Sequence, residues 1–246
     1  MPSYLVTGAS RGLGLGFVTE LLKDPSNIVV ATARDTAGSS GLHELKANHR
    51  DDRLLLIDLD VSKQDSIRAA AEQTARLLPG GLDHLISNAG VAMTGVTADL
   101  EALSTEIIVT VMAPILLMKE FLPLIRDGDC KRILVVSSVL GSIHNAPFTP
   151  NLMNGYSIAK AALNMLARKW SPLLKTEGIT IAIIHPGWIP ATEIGDEISA
   201  WVAKYAPDLE RFTIEESAAG CVKVLNGLTI DNSGEFFSHD GAIVPF

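Results

Sequence analysis

Cysteine is scarce. Cys130 and Cys221 are the only two in 246 residues, and neither sits in C-x-x-C spacing or beside other metal ligands. That excludes a disulfide framework and a cysteine-built metal site, and suits reduced thiols in an intracellular compartment such as the cytoplasm. A basic patch is also missing. Lys and Arg total 20 against 28 Asp and Glu, a net charge of −8 with no Lys/Arg cluster, so no nucleic-acid footprint is expected. The opening "MPSYLVTGAS" has no basic leader and reaches a strand pattern by its fourth residue, which argues against a signal peptide. The longest greasy run, "IIVTVMAPILLM" at 107–118, is broken by Thr110 and Pro114; it reads as a buried helix, too short to span a membrane. No Pro/Ser-rich linker, internal repeat or low-complexity tract divides the chain, and the polar "RDTAGSSGLHEL" (34–45) reads as a loop. One domain over 1–246 is expected.

What is present is an alternation. Apolar residues make up 47% and charged residues 20%, the profile of a globular chain with a full core. Short β-rich runs, "YLVTG" (4–8), "IVVATAR" (28–34), "LLLIDLDV" (54–61), "DHLISNAG" (83–90), "RILVVSS" (132–138), "ITIAIIHPG" (179–187) and "GEFFSHDG" (234–241), are separated by longer segments with helical spacing. Strands this uniformly apolar are covered on both faces. The expected fold class is α/β: a single doubly wound, Rossmann-type domain, its mostly parallel sheet of about seven strands flanked by helices on both faces.

"VTGASRGLGLGF" places Gly8, Gly12 and Gly14 at the first strand–helix junction. A backbone that turns sharply and then approaches a ligand closely has no room for Cβ atoms, and the helix behind it offers free N–H groups to a pyrophosphate. In this position the triplet points to a dinucleotide. The second strand ends "ATARD", with Ala33 where an NAD-preferring site usually carries an acid, then Arg34, with Arg11 in the glycine loop. Two guanidiniums at one ribose edge would attract a 2′-phosphate, so NADPH is preferred over NADH; Asp35 could blunt this by pairing with Arg34.

In "GYSIAKAAL", Tyr156 and Lys160 lie one helical turn apart on one face. Such a pair is either a surface cation lying along a ring or a phenol acidified by an ammonium.

The ordered set "TGASRGLG" (7–14), "DV" (60–61), "NAG" (88–90), a serine after the fifth strand, "YSIAK" (156–160) and "PG" (186–187) resembles the short-chain dehydrogenase/reductase family over nearly the whole chain. "SSVLGSI" and "HPGWI" more narrowly resemble the sniffer and C-factor type of carbonyl reductase. The resemblance implies NADPH-dependent reduction of a ketone or aldehyde to an alcohol, reversibly, on a small molecule. Tyr156 would be the general acid, with its pKa lowered by Lys160 and by the oxidised nicotinamide, and Ser138 would bond the substrate oxygen. Ser137, alternating with it, is expected to face the other side of the sheet. The cofactor would meet Gly8, Ser10, Arg11, Gly12, Leu13 and Gly14, then Arg34, Asp60 and Val61, Asn88, Ala89 and Gly90. It would also meet Tyr156 and Lys160 and, after Pro186 and Gly187, Ile189 and Thr192. The histidines and acids show no ligand cluster, so no metal is implied. A non-redox enzyme on the same scaffold, or a cofactor-binding sensor without turnover, are the alternatives.

Three features depart from the pattern or remain open. Thr110 stands where the family usually has an asparagine that steadies a water near the lysine; a hydroxyl could still hold that water. The interval between Ser138 and Tyr156 is longer than usual and carries "IHNAPFTPNLMNG", an expected excursion over the site that includes His144. The segment of about 188–213 is expected to fold over substrate as a lid, with Trp188, Ile194, Trp201 and Tyr205, and Met93 from below, either lining a pocket or simply packing the lid. The resemblance also implies a homo-oligomer, dimer or tetramer, formed through the helices bearing Thr110 and Tyr156.

Overall fold

Alternate residues of each strand feed two different cores, which is why the strands read as unbroken apolar runs. In the computed structural model, which describes residues 1–49, 52–92 and 99–246, Leu5, Val30, Leu85, Ile133 and Ile181 fill one core. Their neighbours Tyr4, Val29, Ile86, Leu134 and Ala182 fill the other. The strands are β1 (Ser3–Val6), β2 (Ile28–Ala33), β3 (Leu54–Asp58), β4 (His84–Ser87), β5 (Arg132–Val136), β6 (Thr180–His185) and β7 (Phe236–Ser238). They form one sheet in the order β3-β2-β1-β4-β5-β6-β7, and every pair is parallel. The winding reverses between β1 and β4, leaving a crevice at the carboxyl ends of those strands.

Helices cover both faces. Against the first core lie α3 (Gln64–Leu77), α5 (Ala113–Asp127) and α6 (Asn154–Lys175), through Ile67, Phe121 and Leu163 among others. Against the second lie α1 (Gly12–Leu22), α2 (Ser40–Asn48) and α9 (Ile214–Asn226), through Phe17, Leu42 and Cys221. The remaining helices are α4 (Leu100–Ile107), which runs through a π-helical turn (Ile108–Met112) into α5, and the short α7 (Glu193–Glu197) and α8 (Ser199–Tyr205). Both cysteines are free thiols.

Two expectations change. The polar stretch 34–45 is not loop throughout. It enters α2, whose Leu42 is fully buried and whose Gly41 packs against Leu15 of α1. So few apolar residues were needed that composition hid them. The greasy run at 107–118 is the middle of a continuous 28-residue helix, Leu100–Asp127, long and apolar enough by length and composition to cross a bilayer. Here it lies along the sheet instead, burying Leu117, Phe121 and Ile125.

Candidate active site

The glycine turn is shaped by contacts rather than by flexibility alone. Gly8 has a φ of +68°, and a Cβ there would stand 2.9 Å from the Ala89 Cα. A Cβ on Gly14 would collide with the Gly8 carbonyl oxygen and come 2.7 Å from Asn88 Nδ2. Asn88 ties the turn to the end of β4: its Nδ2 donates to the carbonyls of Thr7 (2.9 Å) and Gly8 (3.3 Å). Thr7 Oγ1 accepts from the backbone N–H groups of Asn88 and Ala89, each at 3.0 Å. The result is a backbone cradle at the crevice that side chains would fill, and it fits a pyrophosphate.

The outer residues are arranged differently from expectation. Arg11 pairs with Glu193 of α7 at 2.7 Å, both side chains largely exposed, so it reaches across the cleft rather than toward the end of β2. Asp35 does not neutralise Arg34; its carboxylate accepts from the Gly38 N–H at 2.9 Å and shapes the following turn. Asp60 turns the chain into α3 by accepting from Ser62 N and Oγ, and these bonds hold its carboxyl below the usual carboxylate range.

Ser138, Tyr156 and Lys160 converge where β5 ends against α6. The Ser138 hydroxyl accepts from Leu140 N at 3.2 Å and lies close enough to the Tyr156 phenol to favour its ionised form. Lys160 is 4% exposed, its Nζ donates to the Val136 carbonyl at 2.7 Å, and it lies 5.4 Å from the centroid of the Tyr156 ring. One layer deeper, Asn164 bonds the Ser137 hydroxyl and donates to the Gly141 carbonyl at 3.1 Å. Ser137 therefore also faces α6, contrary to the expectation from strand alternation, because the strand ends at Val136 and the alternation does not carry past it, while Ser138 is the serine near the phenol.

In the protein alone, burial pushes Tyr156 well above the usual phenol range. The Ser138 hydroxyl lowers it in part, and the charge of Glu106 raises it further. The same burial pushes Lys160 down to about 8, because a dry site disfavours the charged form of a base as it does that of an acid. Shared helical phase was readable from spacing; solvation was not.

An apolar cap encloses the phenol. Leu140 and Leu152 are buried with Tyr156, and Ala92, Met153, Ile194, Ile198 and Trp201 pack against them. The expected excursion supplies Leu152 and Met153, while its Ile143 and Phe148 stay exposed. Ser142 Oγ donates to the Pro245 carbonyl at 2.6 Å and His144 N to the Phe246 carbonyl at 3.0 Å, anchoring the base of that loop. Of the aromatic residues expected over the site, Trp201 faces it. Trp188 instead turns its Nε1 to the Gly195 carbonyl at 2.9 Å, and Tyr205 is 60% exposed. Met93 lies outside the described residues. Pro186 accepts from Ser217 Oγ, Gly187 (φ +82°) packs on Phe212, Ile189 is buried, and Thr192 caps α7 by accepting from Gly195 N.

Thr110 lies at the centre of the π-helical turn, 1% exposed, its Oγ1 without a hydrogen-bond partner among the described residues. Sequence reading missed Thr7, Asn164 and Glu106. Glu106 carried a usable signal: it stands four residues before Thr110, hence on the same helical face.

Comparison with known proteins agrees with this fold. Residues 3–203 match the short chain dehydrogenase family. A short-chain dehydrogenase/reductase of Arthrinium sp is 34% identical, covering 98% of this chain and 98% of its own. NADPH-bound carbonyl reductase from chicken fatty liver superposes with a TM-score of 0.86 at 35% identity, covering 100% of this chain and 99% of that one. Carbonyl reductase Sniffer of D. melanogaster gives 0.86 at 26% identity, with both chains fully covered. The family match over residues 3–203 and these whole-chain likenesses to proteins sharing the seven-stranded parallel sheet show that this protein belongs to the short-chain dehydrogenase family.

Proposed function

We propose that this protein is an NADPH-dependent reductase that converts a ketone or aldehyde to the alcohol, reversibly, with Tyr156 as proton donor and acceptor. The observation that carries the reading is Ser138, Tyr156 and Lys160 meeting under an apolar cap beside a cradle that excludes side chains. Tyr156 delivers its proton to the substrate oxygen and recovers it in alcohol oxidation. Ser138 holds that oxygen and steadies the charge that develops on it. Lys160 holds ribose hydroxyls from below, and Thr110 holds a water that connects the lysine to solvent. When bound, the reduced nicotinamide supplies the hydride.

Gly8, Ser10, Gly12, Leu13 and Gly14 cradle the pyrophosphate, with Arg11 and Thr192 at its edge. Arg34 meets the 2′-phosphate, Asp60 and Val61 the adenine, Asn88 to Gly90 the cofactor's inner side, and Pro186, Gly187 and Ile189 its carboxamide end. NADPH bound to the chicken carbonyl reductase supports that cofactor over NADH. Residues 188–213 act as a lid, supported by Ile194, Ile198 and Trp201 over the phenol. The chain works as one cytoplasmic domain on a small-molecule carbonyl. It assembles through the helices bearing Thr110 and Tyr156, where Ile108, Met112, Ile158 and Met165 are exposed apolar side chains.

Loss of NADPH absorbance with a panel of carbonyls tests the reading. Tyr156→Phe should lower turnover by about 10²–10⁴-fold while NADPH still binds. Undiminished turnover in Tyr156→Phe would end it, and tight NADPH binding without turnover of any carbonyl would mark a sensor.

A further inference from the structure

β5 ends at Val136, and just past it the Ser137 N–H donates to the Ile184 carbonyl of β6 at 2.8 Å. Ser138 lies beyond that bond, at the head of a tight 3₁₀ turn (Val139–Gly141). The turn is closed internally: Gly141 N donates to the Ser138 carbonyl at 2.9 Å and Ser142 N to the Val139 carbonyl at 3.0 Å. Those bonds fix its shape but not where it stands relative to α6. Asn164 of α6 sets that. Its side chain is 2% exposed; Oδ1 accepts from the Ser137 hydroxyl and Nδ2 donates to the Gly141 carbonyl at 3.1 Å, so it grips the chain on both sides of Ser138. The contact is close. A Cβ on Gly141 would stand 2.7 Å from the Lys160 carbonyl carbon and 2.8 Å from the Lys160 Cβ, so glycine at 141 is what lets the turn lie on the helix.

We propose that Asn164 is a positioning residue for the reaction: a two-ended clamp that holds the Ser138 turn on α6 and so sets where the Ser138 hydroxyl stands relative to Tyr156. This rests on the reading of Ser138 as the group that meets the substrate oxygen. Tyr156, Lys160 and Asn164 follow one another at four-residue steps, so phenol, ammonium and clamp share one face of one helix. Eight residues of helix span about 12 Å with a fixed rise. The clamp thus refers the serine to the same rigid body that carries the tyrosine. An amide suits the task because it offers an acceptor to the hydroxyl and a donor to the carbonyl at once, which neither a carboxylate nor an apolar side chain does. Ser137 is also 2% exposed, so losing the amide leaves both partners unpaired away from water. Neighbouring anchors do not duplicate the clamp. The Lys160 bond to the Val136 carbonyl comes before the turn, and the Ser142 bond to the Pro245 carbonyl comes after it. Catalysis by proximity is steep in distance: a displacement of about 1 Å costs on the order of a hundredfold in rate.

The test is a double-mutant cycle of Asn164→Leu and Ser138→Ala, read on NADPH-dependent reduction of 4-nitrobenzaldehyde. Asn164→Leu keeps the side-chain size and removes both bonds. It should lower kcat at least tenfold, while the dissociation constant for NADPH, by calorimetry, stays within about threefold of wild type. Ser138→Ala should lower kcat by about 10²–10³-fold. A clamp that acts through Ser138 has nothing left to place once that hydroxyl is gone. Adding Asn164→Leu to Ser138→Ala should therefore cost less than about twofold more. An asparagine that serves folding alone gives the opposite result, the same factor in both backgrounds. Where Asn164→Leu does not fold, Ser137→Ala removes one end of the clamp and takes its place in the cycle. Its own loss, about three- to tenfold, should vanish beside Ser138→Ala in the same way. Equal factors in the two backgrounds, or an unchanged kcat in Asn164→Leu, overturn the proposal. Undiminished turnover in Ser138→Ala would instead remove the reading beneath it, and the proposal with it.

Discussion

Lys160 is a cation in a place that disfavours cations, and that should be visible in folding. Burial pushes it to about 8 in the native state, against an unfolded reference of 10.5. Below pH 8 the lysine is protonated in both states, and the native state bears the full desolvation cost. Between about 8 and 10.5 the unfolded chain still binds the proton that the native chain has released, so stability rises with pH. The gap of about 2.5 units corresponds to roughly 3 kcal/mol, gained at no more than about 1.4 kcal/mol per pH unit. Lys160→Met keeps most of the side-chain volume and removes the charge. It also strips the Val136 carbonyl of its 2.7 Å donor, a cost of about 1–3 kcal/mol that does not depend on pH. Urea unfolding at half-unit steps from pH 7 to 10.5 separates the two terms. The other tyrosines and cysteines titrate alike in both proteins and cancel in the difference. Wild type minus Lys160→Met should be flat to about pH 8 and then climb by about 3 kcal/mol. Curves that stay parallel over the whole range would refute the claim that this ammonium is held dry.

Other consequences can be checked singly. Gly14→Ala should weaken NADPH binding at least tenfold by calorimetry and cost about 1–3 kcal/mol of stability, since its Cβ has nowhere to go between Gly8 and Asn88. Burial holds His84 down at about 4, so between pH 6.5 and 4 the unfolded chain takes up the proton first and stability falls as acid is added. His84→Phe, which keeps a ring against Tyr4, should remove up to about 3 kcal/mol of that acid loss in urea titrations at pH 7 and 4.5. Arg11→Ala should leave the thermal midpoint unchanged, because its partner Glu193 is as exposed as it is, while raising KM for NADPH. Thr110→Asn should keep turnover within about tenfold of wild type; a gain of several hundredfold would mean that the threonine cripples proton transfer.

The doubly wound sheet was legible because burial on both faces leaves no polar alternation to conceal, and because glycines at the first strand–helix junction have a steric reason to be there. Gly8 and Gly14 were found by that logic, and the structure supplies the atoms they would strike. Long-range partners were not legible. Nothing near Arg11 announces Glu193, 182 positions away, so the expectation that Arg11 and Arg34 face the same edge missed the bridge from Arg11 to α7. α2 escaped because Leu42 and Leu45 among polar and small residues make a weak periodic signal, sufficient only because α1 and β2 wait to cover it.

The site divides along the same line. Four-residue spacing places Tyr156 and Lys160 on one face whatever the rest of the chain does, since helical geometry is local. The acidity of the phenol is a contest among dehydration, a hydroxyl from the end of β5 and an anion from α4, and these come from three separate stretches of chain. An acid within an apolar helix reads as an outward-facing residue until the helical phase is known. Once Thr110 is seen to face inward, Glu106 one turn earlier must face inward as well. The cation beside a phenol is therefore readable from a short motif, whereas the charge and dryness that oppose it emerge only when the helices are packed.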